Sequence, residues 1–217
     1  MTAAATKRTS LAALLLCAAG LAHGEPAMLP PGAHAAWQAI GRLNRTGYRN
    51  LAMCTATLVA PQTVLTAAHC VQQADGTMIP PERLRFVAGW LRGSYAALGE
   101  VASVALPRAG GQRAVATDTA VLTLAAPMSG VAPLDTAPPE PGRPVRILGY
   151  RWDRPHALSD AGSCAFRPLG QGVLRLTCEA TFGNSGGPVL QETAGGWRVV
   201  AVVSAIDAGG TLAAPLP

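Results

Sequence analysis

The chain has 217 residues, of which 49% are hydrophobic and only 13% are charged, and its formal net charge is +5. A chain of this length and hydrophobic content can bury the core of one large all-β domain or of two small ones. Its arginines are dispersed along the sequence instead of clustered. Composition therefore gives little support to a nucleic-acid or membrane partner, and we expect neither for the mature chain.

Residues 1–24 have the pattern of a secretory signal peptide. Lys7 and Arg8 precede an apolar run over residues 11–22, and small residues lead up to Gly24. The run is about a dozen residues long, too short to span a bilayer comfortably. We expect cleavage after Gly24 and a secreted or periplasmic protein whose net charge falls from +5 to +3, because Lys7 and Arg8 are lost.

Cleavage of the signal also removes Cys17 and leaves four cysteines in the mature chain, namely Cys54, Cys70, Cys164 and Cys178. An even number in an exported chain favours two disulfides. Three pairings are possible, and we favour the pairing of nearest neighbours. A metal site is not expected because there is no C-x-x-C pair and the histidines are scattered. No cofactor is expected either.

The mature chain begins with a lead over residues 25–36 that has no periodic pattern, and we expect this lead to be loosely held. Short apolar segments rich in Val, Leu and Thr follow over residues 37–126, separated by turn residues, which is typical of β-strands. Residues 127–144 contain six prolines and are predicted to form an extended linker. A second series of strand-like segments lies between residues 145 and 206, and residues 145–217 are predicted to form the second barrel. The pattern predicts an all-β protein with two small barrels.

A histidine lies in the small-residue turn that ends one predicted strand, in the run Thr66-Ala67-Ala68-His69-Cys70. A disulfide through Cys70 would fix this turn. Catalysis by serine needs a base of near-neutral pKa within hydrogen-bond reach, and imidazole is that base. His69 is the candidate, whereas His34 and His156 are expected to be exposed and without a role.

Asp118 stands directly before the apolar segment 119–124, so the chain enters a strand immediately after it. An aspartate buried at such a point can orient an imidazole and stabilise its cation. An aspartate at a strand entrance is also a common turn former, and that alternative stays open. The other aspartates fit the turn-forming role better because none leads into such a strand; these are Asp75, Asp135, Asp153 and Asp160.

The run Gly183-Asn184-Ser185-Gly186-Gly187-Pro188 predicts a tight turn flanked by glycines. A serine that attacks an acyl group must stand where a tetrahedral intermediate can form beside free N–H groups. Gly183 can adopt the φ angle that points its N–H towards the same place as the N–H of Ser185. Taken alone, the run also fits an ordinary surface loop. Together with His69 it indicates a nucleophile, Ser185, and an oxyanion hole formed by Gly183 and Ser185.

These motifs resemble the trypsin/chymotrypsin family of serine endopeptidases, and in particular its compact exported bacterial members. The similarity covers most of the mature chain, including residues 65–70, 118–122, 183–189 and 202–204. The resemblance implies two six-stranded antiparallel β-barrels with the active site in the cleft between them. It also implies a disulfide from Cys54 to Cys70, and it places Ser204 in the strand that pairs with substrate backbone.

Two departures from the family pattern change what the resemblance implies. Digestive members have Asp where this chain has Asn184, and a neutral side chain cannot form an ion pair with a newly cut N-terminus. We therefore expect activity without such processing. Residues 204–217 are short and rich in Ala, Gly and Pro. Either the second barrel closes differently there or it is less well ordered.

Glu179 is the candidate for substrate selection because it lies six residues before Ser185, where trypsin-like members place a carboxylate at the floor of the side-chain pocket. A carboxylate there would favour Arg or Lys before the cut bond. The alternative, that Glu179 points to solvent, stays open. Ala205 and Ile206 are expected to form one wall of the pocket, with Ile206 narrowing it.

The sequence thus predicts an exported trypsin-like serine endopeptidase, monomeric and acting on polypeptides. His69 is the predicted base, Asp118 its orienting partner and Ser185 the nucleophile that forms an acyl-enzyme. The alternative from another class is a catalytically silent binding protein with a protease fold. Such proteins usually lose a triad residue, whereas all three are present here.

Overall fold

The structure is a computed structural model that describes residue 1 and residues 25–46, 53–107 and 114–217. Apart from Met1, the predicted signal peptide lies outside these described residues. Within them the chain forms fourteen β-strands and four short 3₁₀ turns. None of the described helices is long and apolar enough to cross a membrane.

The first half of the chain is a closed antiparallel barrel, preceded by a short strand β1 (Ala27–Met28). The barrel strands are β2 (Ile40–Arg45), β3 (Met53–Ala60), β4 (Thr63–Thr66), β5 (Leu84–Ala88), β6 (Ala97–Ala105) and β7 (Ala120–Leu124). They close in the order β2-β3-β4-β7-β6-β5. Inward-facing side chains such as Leu58, Phe86 and Leu122 are fully buried and fill the interior. Closure removes unpaired strand edges and makes this half a rigid support.

The second half is an eight-stranded sheet that curls back on itself. Its strands are β8 (Val145–Tyr150), β9 (Leu158–Cys164), β10 (Phe166–Gly170), β11 (Val173–Leu176), β12 (Pro188–Thr193), β13 (Gly196–Asp207) and β14 (Gly210–Ala214), in the order β1-β9-β8-β12-β13-β14-β11-β10. Only Ala165 separates β9 from β10, although they lie near opposite ends of this order. The sheet must therefore curl to bring its ends together, as in the second barrel that the sequence predicts.

The C-terminal part of this sheet is ordered and contains a last strand. Ala213 of β14 pairs with Val203 of β13 on one side and with Leu174 of β11 on the other. The alanines of β14 are fully buried, so small side chains are needed there. The prediction of a less ordered end was wrong because alanine and glycine carry little strand signal.

The lead over residues 25–36 is not loosely held, contrary to expectation. Strand β1 pairs with β9, and the N–H of Leu29 donates a hydrogen bond of 2.8 Å to the carbonyl oxygen of Leu158. His34 is buried as well, with its Nε2 3.2 Å from the carbonyl oxygen of Leu29, and this burial lowers its pKa. The lead packs in an apolar cluster with residues of both halves, including Ile40 and Leu148.

The proline-rich segment over residues 127–144 contains no helix or extended strand and contacts both halves of the chain. The N–H of Leu134 donates to the carbonyl oxygen of Leu58 in β3 at 3.0 Å. Further along, the N–H of Ala137 donates to the carbonyl oxygen of Val199 in β13, also at 3.0 Å. The segment thus follows the surface of both halves.

Candidate active site

The pairing of β4 with β7 brings His69 and Asp118 together. Thr66, the last residue of β4, is opposite Ala120, the first residue of β7, so the chain leaves one strand and enters the other at the same end of the barrel. His69 Nδ1 is 2.8 Å from Asp118 Oδ2, and the backbone N–H of His69 donates to Asp118 Oδ1 at 2.9 Å. The barrel register therefore fixes both groups relative to each other.

The turn that carries His69 is held from several sides. Residues Ala68–Val71 form a 3₁₀ turn, and the disulfide between Cys54 and Cys70 ties it to the start of β3. The guanidinium of Arg45 donates to the carbonyl oxygen of Gln72 at 2.8 Å. Both sulfurs near His69 are joined in the disulfide, so they offer no thiolate to a metal ion.

Asp118 is only 3% exposed and accepts three hydrogen bonds. Besides the two donors of His69, the hydroxyl of Ser204 donates to Asp118 Oδ2 at 2.5 Å. These donors compensate the burial of a carboxylate, which would otherwise be strongly unfavourable. In a neutral imidazole that donates to this carboxylate, Nδ1 of His69 carries the proton and the lone pair is on Nε2.

Ser185 lies in a loop of two consecutive turns between Ala180 and β12. Asn184, which is 1% exposed, holds this loop with its side chain. Its Oδ1 accepts from the N–H of Thr181 at 2.8 Å, and its Nδ2 donates to the carbonyl oxygen of Tyr150 at 3.1 Å. Both ends of the Asn184 amide are thus bonded to backbone near the loop.

Gly183 has a φ angle of +96°, in the region that favours glycine. A Cβ at this position would lie 2.8 Å from the carbonyl oxygen of Tyr150, so only glycine fits. The preceding carbonyl, of Phe182, accepts from the N–H of Trp152 at 2.9 Å, and in a planar trans peptide the N–H of Gly183 then points the opposite way. Within the described residues, neither this N–H nor that of Ser185 donates a hydrogen bond.

Thr55 of β3 connects the first barrel to the loop that carries Ser185, and sequence analysis missed it. Its Oγ1 donates to the carbonyl oxygen of Gly183 at 2.8 Å and accepts from the N–H of Tyr150 at 2.9 Å. Its backbone N–H donates to the carbonyl oxygen of Ser185 at 2.9 Å. A threonine in a strand is ordinary, so no local signal marks this role.

Two cavities meet at His69 and Ser185. The larger, of about 510 Å³, is also lined by Asp118, Ser204 and Ile206. The smaller, of about 240 Å³, is lined by Trp152, Phe182 and Gly183 on the other side of the two residues. In the described part of the chain Ser185 Oγ makes no hydrogen bond, including to His69. Such contacts commonly tighten only when substrate binds.

Of the four residues predicted to bind substrate, three line the larger cavity and one does not. Ser204, Ala205 and Ile206 line the larger cavity. Glu179 does not; its side chain is exposed and lies outside the lining, because Cys178 and Ala180 on either side of it are the buried residues. The floor position predicted for Glu179 is therefore wrong.

The nearest-neighbour disulfide pairing is confirmed, since Cys54 is bonded to Cys70 and Cys164 to Cys178. The second bond joins the end of β9 to the segment after β11 and so fastens the curled sheet. His156 is exposed, as expected.

Comparison with known families agrees with this architecture. A family profile described as a trypsin-like peptidase domain matches residues 54–202, which is more than half of the chain. The chain therefore belongs to the trypsin-like peptidase family. A comparison with curated proteins found no match.

Proposed function

We propose that the protein is an exported serine endopeptidase that cleaves polypeptides through an acyl-enzyme. Ser185 is the nucleophile, His69 the general base and Asp118 the residue that orients His69. One observation carries the proposal: the imidazole held by buried Asp118 faces the same cavity as Ser185, beside two N–H groups without a partner in the described residues.

The geometry supports the following chemistry. Ser185 Oγ attacks the substrate carbonyl carbon while Nε2 of His69 takes its proton, and Asp118 stabilises the imidazolium that results. The N–H groups of Gly183 and Ser185 donate to the oxyanion, where charge develops. His69 then gives the proton to the leaving amine, and a water molecule hydrolyses the acyl-enzyme by the same steps.

An edge of β13 is available for an extended substrate. Strand β12 pairs with β13 from Gly196 only as far as Val202, and the chain of β13 continues to Asp207. Val203 still exchanges hydrogen bonds with Gly186 and Gly187. Beyond Val203 the described strands leave this edge unpaired, next to the larger cavity. A substrate backbone can add there as a further strand, with its side chains alternating towards and away from the cavity.

Export is proposed on two grounds. The sequence of residues 1–24 has the pattern of a signal peptide. The two disulfides in the rest of the chain are bonds that persist in oxidising compartments. The proposed mature protein is a monomer without cofactor.

The experiment that tests the activity uses the chain from residue 25 onwards and a denatured protein as substrate, with fragments counted by mass spectrometry over time. Wild type should cleave, and Ser185→Ala should be at least about 10⁴-fold slower, because triad residues act as a unit. Ser163→Ala, an exposed serine away from the site, is the matched control and should match wild type. Cleavage by Ser185→Ala within tenfold of wild type would contradict the proposal, as would a silent wild type that only binds the substrate.

A further inference from the structure

The larger cavity has an apolar wall. Besides the triad, its lining includes Ala180, Phe182, Val203, Ala205 and Ile206. In the lining described here the only ionisable side chains are His69 and Asp118, and these are bonded to each other. A substrate side chain that enters this space therefore meets mostly carbon atoms, besides the hydroxyls of Thr181 and Ser204, and no unpaired counter-charge among the lining residues.

Two large apolar side chains at this cavity are exposed to solvent. Phe182 is 80% exposed and Ile206 is 51% exposed. Exposed apolar groups that adjoin a cavity are typical of a surface that a ligand covers. The same two side chains would lose much of this exposure if an apolar substrate residue lay between them.

Hydrogen bonds from the side chain of Thr211 fix the main chain around Glu179, which lies outside the cavity lining. Thr211 of β14 is fully buried, and its Oγ1 donates to the carbonyl oxygen of Cys178 at 2.8 Å. The same Oγ1 accepts from the N–H of Ala180 at 2.9 Å. These two bonds fix the peptides on both sides of Glu179, and the disulfide to Cys164 fixes Cys178 further. They hold the main chain of Glu179 in the conformation in which its side chain is exposed outside the cavity lining.

We propose that this site selects an uncharged apolar side chain, such as Leu, Met or Phe, on the acyl side of the cut bond; the inference rests on the proposed peptidase function. A charged side chain would lose hydration without gaining a partner, which is unfavourable. An apolar side chain gains from leaving water. A cavity of about 510 Å³ has room for a side chain of this size. Thr211 is a positioning residue that holds the main chain around Glu179, the carboxylate predicted for the pocket floor, so that this side chain stays outside the lining.

The test uses short peptides with a fluorescent leaving group that differ only in the residue before the cut bond. For wild type, kcat/KM should be at least about 100-fold higher with Leu, Met or Phe than with Arg, Lys or Glu. The Glu179→Gln variant should keep the ratio of Leu to Arg within about twofold of wild type, because the side chain lies outside the cavity. A basic preference in wild type that is lost in Glu179→Gln would overturn the inference.

A second pair of variants makes the test independent of Glu179. Ala205→Asp places a carboxylate on the wall and should raise the ratio of Arg to Leu at least about tenfold through a charge-assisted pair. Ala205→Asn has nearly the same shape without the charge and should not raise it. An equal effect of the two variants, or none for Ala205→Asp, would overturn the apolar-wall account.

Labelling with a fluorophosphonate separates this inference from the proposed function. Each variant is first shown to label at Ser185, which requires a folded site and an activated serine. Labelled protein that cleaves after Arg or Lys would overturn only the inference about the wall. Folded protein that neither labels nor cleaves would contradict the proposed function, and the inference would fall with it.

Discussion

The two sides of the candidate active site differ in how their polar groups are bonded. On the side of the first barrel, Asp118 accepts three hydrogen bonds and is buried. On the side of the second sheet, the N–H groups of Gly183 and Ser185 have no partner among the described residues. In the proposed mechanism this difference has a purpose: Asp118 must hold His69 in position, whereas the two N–H groups must remain available to bind the substrate. A free donor can still be rigid, because Asn184 fixes the peptides next to it.

The largest effect on kcat is expected from substituting His69 or Asp118, which are hydrogen-bonded to each other. His69→Ala should lower kcat about 10⁴-fold or more, and Asp118→Asn should lower it by about 10⁴-fold because the imidazole is then held in the wrong tautomer. Steady-state rates on a fluorogenic peptide measure both. His156→Ala removes an exposed histidine and should match wild type. A His69→Ala variant that keeps a tenth of the rate would rule out its role as the base.

On the unpaired side, Gly183→Ala should lower kcat by about 10²–10³-fold, the usual effect of losing one oxyanion donor. The added Cβ would lie 2.8 Å from the carbonyl oxygen of Tyr150, and the φ of +96° disfavours alanine, so the peptide must move. Gly130→Ala is the matched control, because Gly130 also has a positive φ but has open space around it. Equal activity of the two variants would contradict the oxyanion assignment.

The two disulfides should contribute similarly to stability but differently to activity. They span 16 and 14 residues, so removing either bond by paired Cys→Ser changes should lower the free energy of unfolding by about 3 kcal/mol. Only loss of the bond between Cys54 and Cys70 should also lower kcat, because that bond holds the turn of His69. Urea unfolding and peptide hydrolysis measure the two effects. Loss of the bond between Cys164 and Cys178 should leave kcat near wild type. A lower kcat after this loss, with kcat unchanged after loss of the bond between Cys54 and Cys70, would contradict the prediction.

Thr55 tests the connection between the two sides. Thr55→Val removes two hydrogen bonds to the loop of Gly183 and Tyr150 and should lower kcat about 10–100-fold, in line with about 1–3 kcal/mol for unsatisfied partners. Thr55→Ser keeps the hydroxyl and should restore most of the rate. Thr57→Val is the control on the same strand, because the buried hydroxyl of Thr57 has no partner among the described residues. If Thr57→Val were as slow as Thr55→Val, the positioning role of Thr55 would be lost.

The smallest effect is expected on the pH dependence of the free energy of unfolding. It comes from the ion pair between Arg146 and Asp160, which is not part of the candidate active site. Burial would raise the pKa of Asp160, but hydrogen bonds from Arg146 and from the N–H of Gly162 outweigh it and lower that pKa below 3.8. The pair therefore stabilises the fold at neutral pH, and this stabilisation is lost as pH falls through the folded-state pKa. Asp160→Asn should lower the free energy of unfolding by about 1 kcal/mol at pH 7 and by less at pH 3. A difference that stays constant between the two pH values would contradict the assignment.

The candidate residues that the structure brings together are those marked by local pattern. His69 follows a strand in a turn of small residues, and Asp118 precedes an apolar strand, so neighbouring residues alone marked both as candidates. The barrel of the first half was predictable for the same reason, since its strands are compact apolar segments between turn residues. Sequence pattern was enough to predict a feature wherever that feature depends mainly on residues close to it in the chain.

What sequence analysis missed depends on contacts between distant parts of the chain. Thr55 reaches Gly183 across 128 positions, and a threonine in a strand gives no sign of that partner. The outward direction of Glu179 is set by Thr211, which lies in a strand that the sequence did not predict. The lead is fixed through β9, another strand without a clear apolar pattern. Each error follows from a tertiary contact that composition does not record.

In the proposed mechanism His69 activates Ser185 as a nucleophile, and the N–H groups of Gly183 and Ser185 stabilise the oxyanion. Labelling of the folded mature chain with a fluorophosphonate tests this most directly. Intact-mass measurement should show one adduct, and peptide mapping should place it on Ser185. The adduct should be absent in Ser185→Ala and form far more slowly in His69→Ala. No adduct on folded wild-type protein, or an adduct on another residue, would contradict the account.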